Sequence, residues 1–156
     1  MFKKILVAYD GGDISMRALD KAIELAKDTP AEIHLISVYG ENDIQALRLH
    51  GTQYPANANE LFHPGSEDYK EAEKNYITLF QVESAERVRQ AGIPVHPIVT
   101  KGKPHQAIVE HAKKVRACLI VTGTHNQGTA AKLLLGSVAD SLIRHAPCPV
   151  MVVGEK

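Results

Sequence analysis

The sequence predicts an α/β domain: an open, doubly wound sheet of five parallel strands in the order 3-2-1-4-5, with helices on both faces. Three observations lead there. Short apolar runs alternate along the chain with segments of helical periodicity, and such alternation implies crossover connections that return each strand to the same end of the sheet. The runs are continuous rather than alternating in polarity, as expected of strands covered on both faces. Prolines crowd one of the runs, Ile93 to Thr100, and place it at a sheet edge, because neither Pro94 nor Pro97 can donate a ladder hydrogen bond.

The first strand is Ile5 to Tyr9, closed by a turn at Asp10-Gly11-Gly12. From Ser15 the apolar residues Ala18, Leu19, Ala22, Ile23, Leu25 and Ala26 recur at helical spacing until Pro30 forbids continuation. Glu32 to Tyr39 is the second strand, built on Ile33, Leu35, Ile36 and Val38. Residues 41 to 66 show no sustained periodicity and read as a long loop, a feature that compact domains rarely carry without a use. Glu67 to Gln90 is helical, with Gly92 as its stop. After the edge strand, Pro104 opens a helix that runs to Lys114. Ala117 to Thr122 is the fourth, central strand, Leu133 to Ala146 contains the last helix, and Pro149 to Val153 is the fifth strand. Right-handed crossovers then give the stated strand order.

At 156 residues the chain is read as one domain over 1–156, and its 44% apolar composition is enough for a core without disulfide or metal staples. The 18 basic side chains balance 18 acidic ones, so the excess positive charge that drives sequence-independent nucleic-acid binding is missing. The apolar run near the N-terminus is too short for a signal peptide, and no stretch reaches the ~18 residues of a membrane span. Cys118 and Cys148 sit in apolar runs, which reads as two buried thiols of a cytoplasmic protein.

In doubly wound sheets ligands collect at the carboxyl ends of the strands where the order reverses, here between strands one and four. That places candidate chemistry at Asp10, Gly11 and Gly12, and from Gly123 onward. The segment from Gly123 to Ser137 carries glycines that let backbone approach a polyphosphate, and the amides of a helix starting near Ser137 would offer donors and positive dipole to an anion. The Ser137 hydroxyl either caps that helix or donates to a phosphate oxygen. For the glycines alone, an ordinary glycine-punctuated loop would suffice; the strand before, the helix after and the switch-point position favour the phosphate.

Four passages together resemble the universal stress protein family over nearly the whole length: KKILVAYDGG, GKPHQAIVEHAKK, LIVTGTHN and LLLGSVADSLIRHAPCPVMVV. The nucleotide-binding branch of that family has a G-x2-G-x9-G-S/T pattern, which falls on Gly123, Asn126, Gly136 and Ser137, with asparagine at the second position where the family has glycine. Asparagine tolerates left-handed backbone, so the turn can survive, but its side chain can crowd a phosphate. The resemblance implies a stress-response regulatory module that binds ATP, or AMP or ADP, with Mg²⁺ or Mn²⁺ arriving on the nucleotide. It implies that Asp10 and Gly11 lie near the base and ribose, with Asp10 serving the adenine or its polar network, and that backbone groups at Val38 meet the adenine edge. It also implies a homodimer through the C-terminal strand and a regulatory protein partner. Plain readings compete: Asp10 as a turn residue that satisfies its own backbone, Val38 as sheet core.

No Walker motif, G-x-S-x-G elbow or paired-carboxylate spacing is present, so no catalytic residue is assigned and any ATP hydrolysis is expected to be slow. The eight histidines, His34, His50, His63, His96, His105, His111, His125 and His145, lack ligand spacing and read as scattered surface residues; a zinc site on His50 and His63 of the long loop is the lesser alternative, and no metal site is assigned. Two alternatives stay open: an adaptor of the same fold without nucleotide, and a slow hydrolase that uses residues 41 to 66 as a lid.

Overall fold

The computed structural model describes residues 2–40, 67–124 and 136–154. The loop expected over 41–66 and the residue Asn126 lie outside the described residues. Among the described residues nine elements follow in order: β1 (Lys4–Ala8), α1 (Asp13–Ala26), β2 (Glu32–Gly40), α2 (Glu67–Gln90), β3 (Val95–Gly102), α3 (Pro104–Val115), β4 (Leu119–Gly123), α4 (Ser137–His145) and β5 (Val150–Val153). The strands form one parallel sheet in the order β3-β2-β1-β4-β5, as the sequence predicts.

The centre of the sheet is β1, whose Ile5, Leu6 and Val7 are inaccessible to water. Their alternation feeds two cores. Ile5 and Val7 join Leu19, Ala22, Ile33, Leu35 and Val88 under α1 and α2, whereas Leu6 joins Ile36, Ile108, Ala112, Ile120 and Leu142 under α3 and α4. Burying each such Leu or Ile side chain stabilises the fold by roughly 1.5–3 kcal/mol. One polar side chain crosses the first layer: Gln81 of α2 donates to the carbonyls of Leu35 and Ile98 and to the Ser37 hydroxyl, tying the helix to β2 and β3 at once. Ser37 in turn donates to the Tyr9 carbonyl.

Element ends differ from the sequence reading in places with a physical cause. Helix α1 starts at Asp13, directly after Gly12. The strand β3 starts at Val95, after Pro94, and Pro97 is tolerated inside it because β3 is an edge strand. Gly92 takes a φ of 78° just beyond α2, the left-handed stop its residue type allows. The last helix begins at Ser137, as the sequence reading has it, with Gly136 in extended conformation at its N-cap. Cys118 and Cys148 are free thiols, half-buried rather than buried.

Candidate functional site

All five parallel strands point their carboxyl ends the same way, and between β1 and β4 the connections diverge to opposite faces. A cleft of about 290 Å³ opens there, at the lower edge of the ~300–1,000 Å³ common for small-molecule sites. Its floor is strand ends, including Ala8, Val38 and Thr122, and its walls are the first turns of three helices. Ile14 and Ser15 come from α1, Pro104 and His105 from α3, and Ser137 and Val138 from α4.

The convergence of three helix starts sets the electrostatics. Each N-terminus carries amides without intrahelical partners and a fractional positive charge. In none of the three does the N-cap residue, Gly12, Lys103 or Gly136, supply a side-chain cap hydrogen bond. The first turn of α1 carries Asp13 and that of α4 carries Asp140, whereas α3 has no acidic residue there. Such a concavity suits an anion, with backbone rather than lysine or arginine supplying the attraction.

Asp10 lines the cleft, and its Oδ1 accepts a hydrogen bond from the Gly12 amide at 2.9 Å, the local turn that Asp-Gly sequences favour. The Ser15 hydroxyl donates to the Gly12 carbonyl and accepts from the Asp10 amide. These bonds hold the β1–α1 turn, in which Gly11 has a φ of 86°. Val38, paired in register with Thr100, is buried at the β2 end of the cleft. Gly123 lies at the end of β4, where a Cβ would come within 2.5 Å of Ile14 Cγ2 and 3.2 Å of the Ile14 backbone. This glycine is thus required by the approach of α1 to β4, whatever the cleft holds. Ser137 lines the cleft and is exposed, and of its two expected uses the helix cap is excluded: Gly136 occupies the N-cap position. The structure therefore brings Asp10, Val38, Gly123 and Ser137 to one cleft, with Gly11 and Gly136 adjoining it in the chain.

Tyr9, Thr124, Pro104 and His105 also line it and were not assigned from sequence. Thr124 is the informative one, since its Oγ1 is buried without a hydrogen-bond partner. A buried hydroxyl left unmatched costs ~1–3 kcal/mol, so it marks a place where a ligand atom can contribute. Burial pushes the Tyr9 phenol above its ordinary value, opposed by a hydrogen bond with Ser84. Pro104 was legible as a helix start; its place beside the first strand's turn depends on the sheet order. The histidines do not all scatter: His34 is buried on β2 and meets His96 and His111 at the opposite, amino end of the sheet.

Among the described residues, no helix is long and apolar enough to cross a membrane. Comparison with known proteins agrees with the geometry. The model of the universal stress protein family matches residues 1–154. A universal stress protein of Methanocaldococcus jannaschii is 33% identical over 153 residues, covering 98% of this chain and 82% of that protein. The universal stress protein YxiE of Bacillus subtilis is 32% identical, covering 98% of this chain and 99% of that protein. A crystal structure of a universal stress protein in complex with cAMP superposes with a TM-score of 0.68 at 29% identity, covering 97% of each chain.

Proposed function

The chain belongs to the universal stress protein family, and from that premise we propose that the cleft between β1 and β4 binds an adenine nucleotide, ATP first, as the input of a regulatory module rather than as the substrate of an efficient enzyme. The observation that carries this reading is the buried, unpartnered Thr124 hydroxyl in a cleft walled by three helix N-termini. The cAMP complex of a relative supports the base and phosphate chemistry.

In this reading the phosphates lie against the first turn of α4, with the Ser137 hydroxyl as donor and the amides after Gly136 supplying the dipole. Adenine and ribose lie toward Asp10, Gly11 and Val38. Mg²⁺ or Mn²⁺ is held by phosphate oxygens and water, not by a dedicated protein cage. Asn126 stands where the family's pattern has glycine, and Asn126→Gly is expected to tighten binding by relieving the crowding that its side chain can impose on a phosphate. The whole chain from 1 to 156 acts as one such domain.

Calorimetry with Mg-ATP, AMP and cAMP, together with chromatography of the small molecules released by denaturing freshly purified protein, tests the proposal. Saturable binding at one site per chain is expected. No adenine compound released and no heat with any of the three would reject it and leave an adaptor of the same fold.

The same reading gives a homodimer through β5. This strand sits at the sheet edge, and its four residues are half-buried. The carbonyls of Pro149 and Val153 turn toward β4, so the period of two aims the Val152 amide away from it, free to pair with a second copy. Val152→Pro removes that donor; light scattering should then give a monomer where the parent chain is a dimer.

A further inference from the structure

The sheet has a second polar cluster at its amino end, in a position where an apolar strand face would be expected. His34 of β2 lies between Leu6 and Ile36 on the face covered by α3 and α4, and it is only 7% exposed. It pairs in register with His96 of β3, which puts the two rings on the same face, stacked with centroids 4.6 Å apart and an interplanar angle of 22°. Glu32, two residues before His34, joins both: its Oε1 is 2.8 Å from His34 Nε2 and its Oε2 is 3.6 Å from His96 Nε2. His111 of α3 stands over His34 at 6.2 Å between ring centroids, and its Nε2 is buried without a partner.

We propose that Glu32, His34 and His96 form a binding site for a transition-metal dication of the Zn²⁺ class, at the end of the sheet opposite the nucleotide cleft. The ligating atoms of the three residues already lie within 4.8 Å of one another. A tetrahedral Zn²⁺ with ligands at 2.0–2.1 Å needs them about 3.3 Å apart, between the two Glu32–His separations observed. Both Glu32–His separations change by a few tenths of an ångström, and the stacked imidazoles turn so that their ring-plane lone pairs converge on the ion. His96 can supply that movement, being on an edge strand with its side chain 52% exposed.

The donor set selects the ion. Two imidazoles and one carboxylate suit Zn²⁺, Cu²⁺ or Ni²⁺, whereas Mg²⁺ and Ca²⁺ prefer oxygen ligands. Lys4 lies near Glu32 and Lys114 near His111, so the surroundings hold no surplus negative charge to attract a hard cation from a distance. Short-range coordination by nitrogen must do the selecting. A three-ligand protein site leaves a fourth position for water, and that water would give His111 Nε2 the partner it lacks. The orphaned imidazole on α3 is thus accounted for by the same ion that joins β2 to β3. Val38 lies four positions beyond His34 along β2, about 13 Å at strand rise, so the ion and the nucleotide do not share ligands.

The test uses the full-length chain, stripped with a chelator and titrated with Zn²⁺ alone, without nucleotide. Calorimetry gives the affinity, and ¹H–¹⁵N spectra of the imidazole rings give the place. The expected result is that the His34 and His96 ring nitrogens shift together with the first equivalent. His96→Ala, at an exposed position that should not disturb folding, should weaken that binding by about tenfold or more, since even loss of a supporting contact to a metal ligand typically costs 10–100-fold. Glu32→Gln should weaken it in the same sense, and His145→Ala, on the far helix α4, should leave it unchanged. Saturating Zn²⁺ that leaves both rings unshifted, or an unchanged affinity in His96→Ala, would show a hydrogen-bonded histidine cluster only and overturn the proposal. The result is independent of whether the cleft takes a nucleotide.

Discussion

The two ends of the parallel sheet are built from different materials. At the carboxyl end, three helix starts, the turn after β1 and the end of β4 present backbone amides, small hydroxyls and, among the described residues, few ionised side chains. At the amino end, β2 and β3 present a carboxylate and two imidazoles in register, with a third imidazole overhead. A parallel sheet is polar along its strands, and every helix that follows a strand starts at the same edge; the anion-seeking end is a property of the topology. The glutamate–histidine cluster has no such origin and depends on which side chains the register happens to align. One end can therefore be weakened by adding a methyl group to the backbone, the other only by removing a side chain.

The largest effect is expected at Gly123. Replacing it by Ala drives a Cβ into Ile14, and overpacking of this kind costs about 1–3 kcal/mol. Urea denaturation should show that loss together with weakened nucleotide binding, because the displaced α1 carries Ser15 and the turn at Asp10. Zn²⁺ affinity should be untouched, and equal damage at both ends would mean that the two are not separable. Adding Ile14→Ala should recover only part of the stability, since the Ile14 backbone remains 3.2 Å away.

Thr124→Val separates ligand from fold more finely. Removing an unmatched buried hydroxyl should raise the stability of the ligand-free protein by about 1 kcal/mol, while loss of one hydrogen bond to the nucleotide should lower its affinity by about tenfold. Opposite signs in the two measurements are the signature; a stability loss would mean that the hydroxyl has a structural partner.

The smallest effect is at Tyr9. Its folded-state pKa lies above its unfolded value of about 10, chiefly through burial, so unfolding favours ionisation. The stability contributed by the neutral phenol is complete below that unfolded value and is lost as pH rises through the folded one. Alkaline denaturation curves of the parent chain should fall more steeply than those of Tyr9→Phe, with the two parallel below about pH 9.

The same contrast explains which features are legible in the sequence. Strand order and both helical layers were legible, because strands covered on both faces must be apolar runs such as Ile5 to Val7, and because the prolines of β3 can only sit at an edge. The cleft was legible as a place, and Asp10, Val38, Gly123 and Ser137 do meet there. Individual roles were less so. Gly123 reads as freedom for a ligand but is also explained by one isoleucine, and Ser137 reads as a cap although Gly136 takes that position. Thr124 carries no motif; its hydroxyl becomes informative only when its surroundings are known. The histidine cluster was invisible to spacing because His34 and His96 belong to different strands, and nothing local announces that their positions are neighbours. Register is a property of the assembled sheet, whereas motif spacing is a property of the chain.

The neighbour of β1 on one side arrives early and on the other side late: Ile5 pairs with Ile33, and with Leu119 across most of the chain. During synthesis the amino-terminal portion can assemble while one flank of its most apolar strand still lacks a partner. That flank is an open template for misassociation until β4 emerges and inserts. Because the cleft lies along the β1–β4 seam, any ligand that binds there acts as a clasp on that pairing and stabilises the joined sheet by mass action.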